Sequence, residues 1–194
     1  KNKKVLDLCA APGGKSFQIL SQNKDVILND KSKKRLLILK ENLKRLNFNA
    51  EVKNYDALNF PENKKYDVVL LDAPCSSTGT IRSNPEIIFR KKTPNLKSLY
   101  DLQEKLLMKS SDLVKTNGVI IYMVCSFLYS ETLKPVRNFL DKNKNFSVLK
   151  YDRNINNSSI KSLLHKDGFF LTVPKEYMGY KIDGFFSIQL IKND

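Results

Sequence analysis

The stretch Val5-Leu-Asp-Leu-Cys-Ala-Ala-Pro-Gly-Gly-Lys15 runs from a strand through a glycine turn towards a helix. Val5 to Ala10 is apolar enough for a buried strand, and a helix is expected from about Ser16 to Gln22. The two glycines let backbone approach a ligand with no side chain in the way. Strand, turn and helix in that order open a parallel α/β sheet, whose ligands collect at the carboxyl ends of its strands.

The rest of the chain keeps the alternation. Asp25 to Asp30 reads as a second strand, Ala50 to Asn54 as a short third, and Tyr66 to Leu71 as a strongly apolar, central fourth. Val119 to Val124, Phe146 to Tyr151 and Gly184 to Ile191 bring the number to about seven. Helical spacing runs from Lys33 to Leu46 (Leu36, Leu39, Leu43, Leu46) and from Leu96 to Lys115 (Leu99, Leu102, Leu106, Leu107, Leu113). Asn117-Gly118 is expected to end that second helix, as glycine beyond a helix commonly does. Another helix spans Glu131 to Asn143; Pro135 is tolerated only near a first turn, so its regular part starts after Glu131. Asn154 to Lys166 is polar and reads as a loop. The expected architecture is α/β, a doubly wound, Rossmann-like sheet, mostly parallel with an antiparallel last strand, in a single domain over 1–194.

At 194 residues and 41% hydrophobic content the chain can bury a full core. No apolar run approaches the roughly 20 residues that cross a bilayer, so no membrane association is expected. Lys1-Asn-Lys-Lys4 leads directly into the first strand, and no signal peptide is expected. Three cysteines and one histidine make neither a disulfide framework nor a metal site. These features point to a cytoplasmic, metal-free protein, expected to be a monomer. The formal charge of +14 has two readings: a surface that attracts nucleic-acid phosphates, or a solvated surface reflecting Lys/Asn richness. The basic residues cluster at Lys31 to Arg35, Lys40 to Arg45 and Arg90 to Lys92.

The turn lacks the G-x-G-x-x-G dinucleotide fingerprint, which argues against a nicotinamide cofactor. Asp30 ends the second strand where a carboxylate can accept from ribose hydroxyls, and Asp56 follows the third, where it can accept from an adenine amino group. With Asp7 on the first strand, these residues suit S-adenosyl-L-methionine. Taken singly, each carboxylate has another reading, as a cap on the next helix.

Two cysteines end apolar runs. Val68-Val-Leu-Leu71 leads to Asp72-Ala-Pro-Cys75, and Val119 to Val124 leads to Cys125-Ser126. Fifty residues separate them in sequence, yet both come to the reactive edge of the sheet. Free thiols are often inert core residues; at strand ends within these motifs, covalent catalysis is the better reading. The residues themselves do not say which thiol attacks. Cys9, inside the first strand and its turn, reads as structural, with its backbone near the cofactor.

Together these blocks resemble the Nop/Sun-type RNA cytosine-C5 methyltransferases, and within them the bacterial RsmB (Sun/Fmu) branch. The matching text is Asp-Leu-Cys-Ala-Ala-Pro-Gly-Gly-Lys (7 to 15), Asn-Asp-Lys-Ser (29 to 32) with Arg35, Tyr-Asp-Ala (55 to 57) and Leu-Asp-Ala-Pro-Cys-Ser-Ser-Thr-Gly-Thr-Ile-Arg (71 to 82). It continues through Asn-Pro-Glu-Ile (84 to 87), Leu-Gln-Glu-Lys-Leu-Leu (102 to 107), Cys-Ser (125 to 126) and Asp-Gly-Phe-Phe (183 to 186).

The resemblance implies a methyltransferase sheet with S-adenosyl-L-methionine held by Cys9, Ala10, Ala11, Pro12, Gly13, Gly14, Lys15, Asp30, Arg35, Asp56 and Asp72. It implies Cys125 as nucleophile on cytosine C6, Cys75 as the group that helps break the adduct down, and Lys15 and Asp72 as groups that position or protonate the base. The RNA it implies is small-subunit ribosomal RNA. DNA cytosine methyltransferases instead attack with the cysteine of a Pro-Cys block, here Pro74-Cys75.

The chain departs from the family at Val124, where a threonine is usual, and at Thr132, where an asparagine often follows the glutamate. RsmB-type proteins also carry an amino-terminal RNA-binding domain, expected to be absent from a chain that starts four residues before Val5. The competing expectation is a catalytically idle RNA-binding module in ribosome assembly; both cysteines, Lys15 and Asp72 argue against it. Phe185 and Phe186 are expected in the strand core. Arg82 to Glu86 reads equally as an RNA contact or a plain connector.

Overall fold

Tyr66–Asp72, the most apolar run, lies in the middle of the sheet (β4). The computed structural model describes residues 3–22, 25–89, 95–151 and 158–194. The basic run Arg90 to Lys92 and the first part of the polar segment from Asn154 lie outside them. On one side of β4 are β1 (Val5–Asp7), β2 (Val26–Asn29) and β3 (Glu51–Lys53). On the other are β5 (Val114–Val124), β6 (Phe146–Val148), β7 (Phe169–Thr172) and β10 (Phe185–Lys192). The order is β3-β2-β1-β4-β5-β10-β6, with β7 also paired to β10. β1 to β5 are parallel and β10 runs antiparallel to β5. The chain winds outwards from β1 to β3, then returns to β4 on β1's other side. That reversal opens a crevice at the carboxyl ends of β1 and β4.

Both faces of the sheet are covered. α1 (Gly14–Leu20) and α2 (Lys33–Arg45) bury Leu20, Leu36, Leu39 and Leu43 with Val5, Val26 and Leu28. α3 (Leu96–Leu113) and α4 (Leu133–Lys142) bury Leu106, Leu107, Leu113, Val136 and Phe139 with Leu6, Val69 and Leu71. Alternate residues of β1 and β4 point to opposite layers, as the period of a strand requires. Ser32 and Asn95 cap α2 and α3 by accepting the amides of Arg35 and Ser98.

Several features differ from the sequence reading, among them a short helix over Ser158–Lys161 in the segment read as a loop. α3 stops at Leu113, and Asn117-Gly118 lies inside β5 as a bulge, not beyond a helix. Tyr66 pairs with Val114 but Val68 with Val119, so the extra residues of β5 loop out. A Cβ at Gly118 would lie 3.0 Å from the Asp67 carbonyl oxygen and 2.8 Å from that of Lys115, which is why this position is glycine. Among the described residues the main sheet has eight strands, β7 being the addition. A hairpin of β8 (Lys175–Tyr177) and β9 (Tyr180–Ile182) precedes β10, with Met178 and Gly179 at positive φ in its two-residue turn.

The start of β10 is locked to the loop after β4. Gly184 donates its amide to the Gly79 carbonyl at 2.7 Å, and Gly79 donates its own to the Cys125 carbonyl at 3.0 Å. A Cβ on Gly79 would lie 2.1 Å from the Gly184 oxygen. Gly79→Ala is therefore expected to destabilise the fold by about 1–3 kcal/mol, read from urea unfolding. A midpoint equal to that of the unaltered protein would contradict this close approach.

Candidate active site

The loop from β1 to α1 is held from both sides. Asn29, fully buried at the end of β2, donates to the Leu8 carbonyl at 3.0 Å and accepts the Tyr55 amide at 3.0 Å. Asp30 accepts the Ala11 amide at 3.2 Å, the Ser32 amide at 2.8 Å and the Arg35 guanidinium at 3.3 Å. Arg35 also donates to the Ala11 carbonyl. Gly13 sits at φ 113, and a Cβ there would strike Phe17. Beneath the loop, Asp7 is buried and accepts from the Ser16 hydroxyl at 2.6 Å. Burial pushes its carboxyl from 3.8 up to about 7, against the opposing pull of Ser16.

Two adjoining cavities open at this edge. One, of about 230 Å³, has apolar walls from Leu8, Ala57, Pro74 and Leu106 and carries Asp30 and Asp56. The other, of about 250 Å³, holds Asp72, Cys75, Ser77 and Cys125. Cys9, Arg35 and Pro74 line both. Asp56 accepts the Leu58 amide at 3.0 Å, which caps a short 3-10 helix over Ala57–Asn59. Asp56 is thus a cap, and it also lines the first cavity.

Parallel pairing of β4 with β5 puts Asp72 beside Met123, so the two cysteine loops leave the sheet side by side. Cys75 Sγ and Cys125 Sγ are 3.2 Å apart. One proton between two close sulfurs settles on one of them. Cys125 is pushed down to about 6, chiefly by the hydrogen bond from Cys75 and, against burial, with help from the Ser77 hydroxyl at 3.5 Å. Cys75 is pushed well above the ordinary thiol range by the same bond and by burial. Ser77 adopts φ 62, a conformation uncommon for a non-glycine residue that brings its hydroxyl to Cys125. Lys15 pairs with Asp72 at 2.5 Å and lies 5.5 Å from the centre of the Phe185 ring. Phe186 is core, as expected; Phe185 instead borders the site. The Cys9 thiol is pushed up to about 12 by burial and the surrounding carboxylates, and stays protonated.

Sequence reading overlooked the carboxylate that links the two thiol loops. Glu131, fully buried, accepts the Ser76 amide at 2.8 Å and the Gln103 amide at 3.3 Å on Oε1. Its Oε2 accepts the hydroxyls of Ser76 at 2.5 Å and Ser126 at 2.7 Å. Two signals were available: the glutamate that the family carries before position 132, and a charge between apolar Leu128 and Leu133 at the entry to α4. Arg82, read equally as an RNA contact or a connector, bonds Asp183 at 3.0 Å across the base of the hairpin.

Two titrations follow. Alkylation of Cys125 by iodoacetamide should rise with a midpoint at about pH 6; Cys75→Ala should move that midpoint towards the ordinary thiol value of about 8.5. An unmoved midpoint would mean that Cys75 does not hold the thiolate. For Asp7, the folded state keeps a proton that the unfolded chain releases near pH 3.8, so its contribution to stability is lost as pH rises through about 7. Relative to the unaltered protein, Asp7→Asn should gain roughly 4 kcal/mol in unfolding free energy from acid to pH 8. A pH-independent difference would contradict the raised carboxyl.

The fold recurs in known proteins. Residues 1–191 match the family model described as 16S rRNA methyltransferase RsmB/F. Ribosomal RNA small subunit methyltransferase B of Photorhabdus laumondii is 37% identical over 175 residues, which cover 87% of this chain and 41% of that protein. The protein of the same name from Pectobacterium atrosepticum is 35% identical over 98% of this chain and 42% of its own length. The chain thus spans about two fifths of the curated relatives it matches. Among solved structures, NSun6 from Pyrococcus horikoshii with SFG superposes with TM-score 0.82 at 26% identity, covering 99% of this chain and 48% of that one. A methyltransferase homologue from the same organism superposes with TM-score 0.74 at 25% identity, covering 98% and 62%. Matched by the family model over 1–191 and more than a third identical to these relatives, the chain belongs to the RsmB/F family of 16S rRNA methyltransferases.

Proposed function

We propose that this chain is the catalytic domain of an S-adenosyl-L-methionine-dependent methyltransferase that modifies C5 of cytosine in small-subunit ribosomal RNA through a covalent adduct. The observation that carries the reading is the thiol pair 3.2 Å apart, in a cavity that adjoins an apolar slot bearing carboxylates.

The residues present fit the cofactor. A slot of about 230 Å³ walled by Leu8, Ala57 and Leu106 suits a flat nucleoside base; Asp30 would accept from the ribose hydroxyls and Asp56 from the base amino group. Cys9, Ala10, Ala11, Pro12, Gly13 and Gly14 would present backbone to it, and Lys15, Arg35 and Asp72 would face its charged end. The Pyrococcus horikoshii relative was solved with SFG, an analogue of this cofactor. When bound, S-adenosyl-L-methionine supplies the electrophilic methyl group.

The chain's own residues do the rest. Cytosine C5 is a poor nucleophile. The Cys125 thiolate adds at C6, forming a carbon–sulfur bond and turning C5 into an enamine-like carbon. Asp72 and Lys15 hold the base at its polar edge, and protonation at N3 supports the addition. Forming the adduct consumes the Cys125 charge, so Cys75 no longer faces a thiolate that keeps its proton in place. C5 would then form its bond to the methyl group that the donor supplies; Cys75, its proton passed to bulk water, is a base able to remove the proton left on C5. The electrons of that C–H bond restore the C5–C6 double bond, and Cys125 leaves as thiolate. The target base must leave any stack to reach Cys125, and the net charge of +14 favours the encounter with phosphates.

Bisulfite mapping of small-subunit RNA incubated with protein and methyl donor tests the reading. One protected cytosine is expected. Cys125→Ala should abolish it, and Cys75→Ala should accumulate a protein–RNA adduct that survives denaturation. Unprotected cytosines throughout would contradict the activity; free turnover by Cys75→Ala would contradict the division of roles.

A further inference from the structure

We propose that Glu131 is a positioning residue, whose carboxylate holds the two thiol loops in the register that lets Cys75 donate to Cys125. Its catalytic meaning rests on the covalent reading above, but its geometry stands alone. Ser76 follows Cys75 and Ser126 follows Cys125, and both hydroxyls converge on the same oxygen, Oε2, at 2.5 and 2.7 Å. The other oxygen takes the Ser76 amide at 2.8 Å and Gln103 Nε2 at 3.3 Å. Gln103 Nε2 also donates to the Pro74 carbonyl at 2.9 Å, one residue before Cys75. Glu131 is itself tied down, because the Tyr122 hydroxyl donates to its carbonyl at 2.7 Å.

The loops belong to different strands, β4 and β5. Backbone links between them lie on either side of the thiols, at Ala73 to Met123 and Gly79 to Cys125. Glu131 supplies a side-chain link between those two points. Every group around its carboxylate donates to it, and bonds to an ionised acceptor are the strong ones. Glutamine has nearly the same shape, but its uncharged amide turns an N–H towards the two serine hydroxyls, which must rotate to accept it, so the charge-assisted bonds that fix both serines are lost. The loops then separate, or the serines turn away, and the sulfur–sulfur hydrogen bond lengthens. Ser76 and Ser126 have no need to touch a substrate in this arrangement; they transmit the position of one carboxylate to two sulfurs.

The experiment is alkylation of Cys125 against pH, read by peptide mass spectrometry in Glu131→Gln, with a cooperative thermal melt to show that the variant is folded. Alkylation at pH 7 should fall on the order of tenfold, because an ordinary cysteine is only a few per cent thiolate there. At pH 9 the rates should converge with those of the unaltered protein. An unchanged profile in the folded variant would overturn the proposal. So would a rate lowered equally at every pH, which means lost access, or one raised at every pH, which means simple loosening. Where Glu131→Gln does not fold, Ser126→Ala removes one donor and no charge. It should show a smaller fall at pH 7, and an unchanged profile there overturns the proposal. The assay contains neither RNA nor methyl donor, so its result is independent of whether the chain methylates cytosine.

Discussion

A hydrogen bond between two sulfurs 3.2 Å apart is the interaction on which the site depends. It keeps one proton on Cys75 and leaves Cys125 charged near neutral pH. No single element could create it. Adjacent parallel strands deliver the two loops, β10 buttresses them through Gly79 and Gly184, and Glu131 ties them from below. In the proposed reaction the pair is also self-resetting: the charge that favours attack disappears when the adduct forms, which removes the group that held the proton on Cys75.

The neighbouring cavity has a different construction. Its carboxylates already serve the protein: Asp30 holds the glycine loop through Ala11 and Arg35, and Asp56 caps a short helix. A loop fixed this way before any ligand arrives has little ordering left to do on binding. Asp7 lies beneath it as a buried carboxyl with a raised pKa and a hydrogen bond to Ser16 in α1, so loop and helix share a support that weakens as it ionises.

Much of this was legible in the residues. Composition located β1, β2, β4 and β5 by their apolar runs and period located β10 by its alternation; β3, only Glu51-Val-Lys53, followed from its place after the second helix. The glycine turn and the two cysteines marked the edge, and the motif resemblance extended across the chain. The misses have physical causes. Asn117-Gly118 looks like a helix stop, since a glycine pair signal cannot distinguish a helix end from a bulge excluded by the Asp67 carbonyl. β7 to β9 are short and depend on β10 or on each other for pairing. Glu131 escaped because its partners, Ser76, Gln103 and Ser126, lie on three other segments and meet only in the fold. Phe185 escaped because alternation assigns a face, and only the structure shows Lys15 above it.

The most direct test of the central claim uses RNA in which 5-fluorocytidine replaces cytidine. Fluorine at C5 leaves no proton for Cys75 to remove, so the adduct cannot resolve once the methyl group has been transferred. Incubation with S-adenosyl-L-methionine, protease digestion and mass spectrometry should yield one RNA-linked peptide, joined at Cys125. A link at Cys75, or none in a protein that still methylates unsubstituted RNA, would contradict the account.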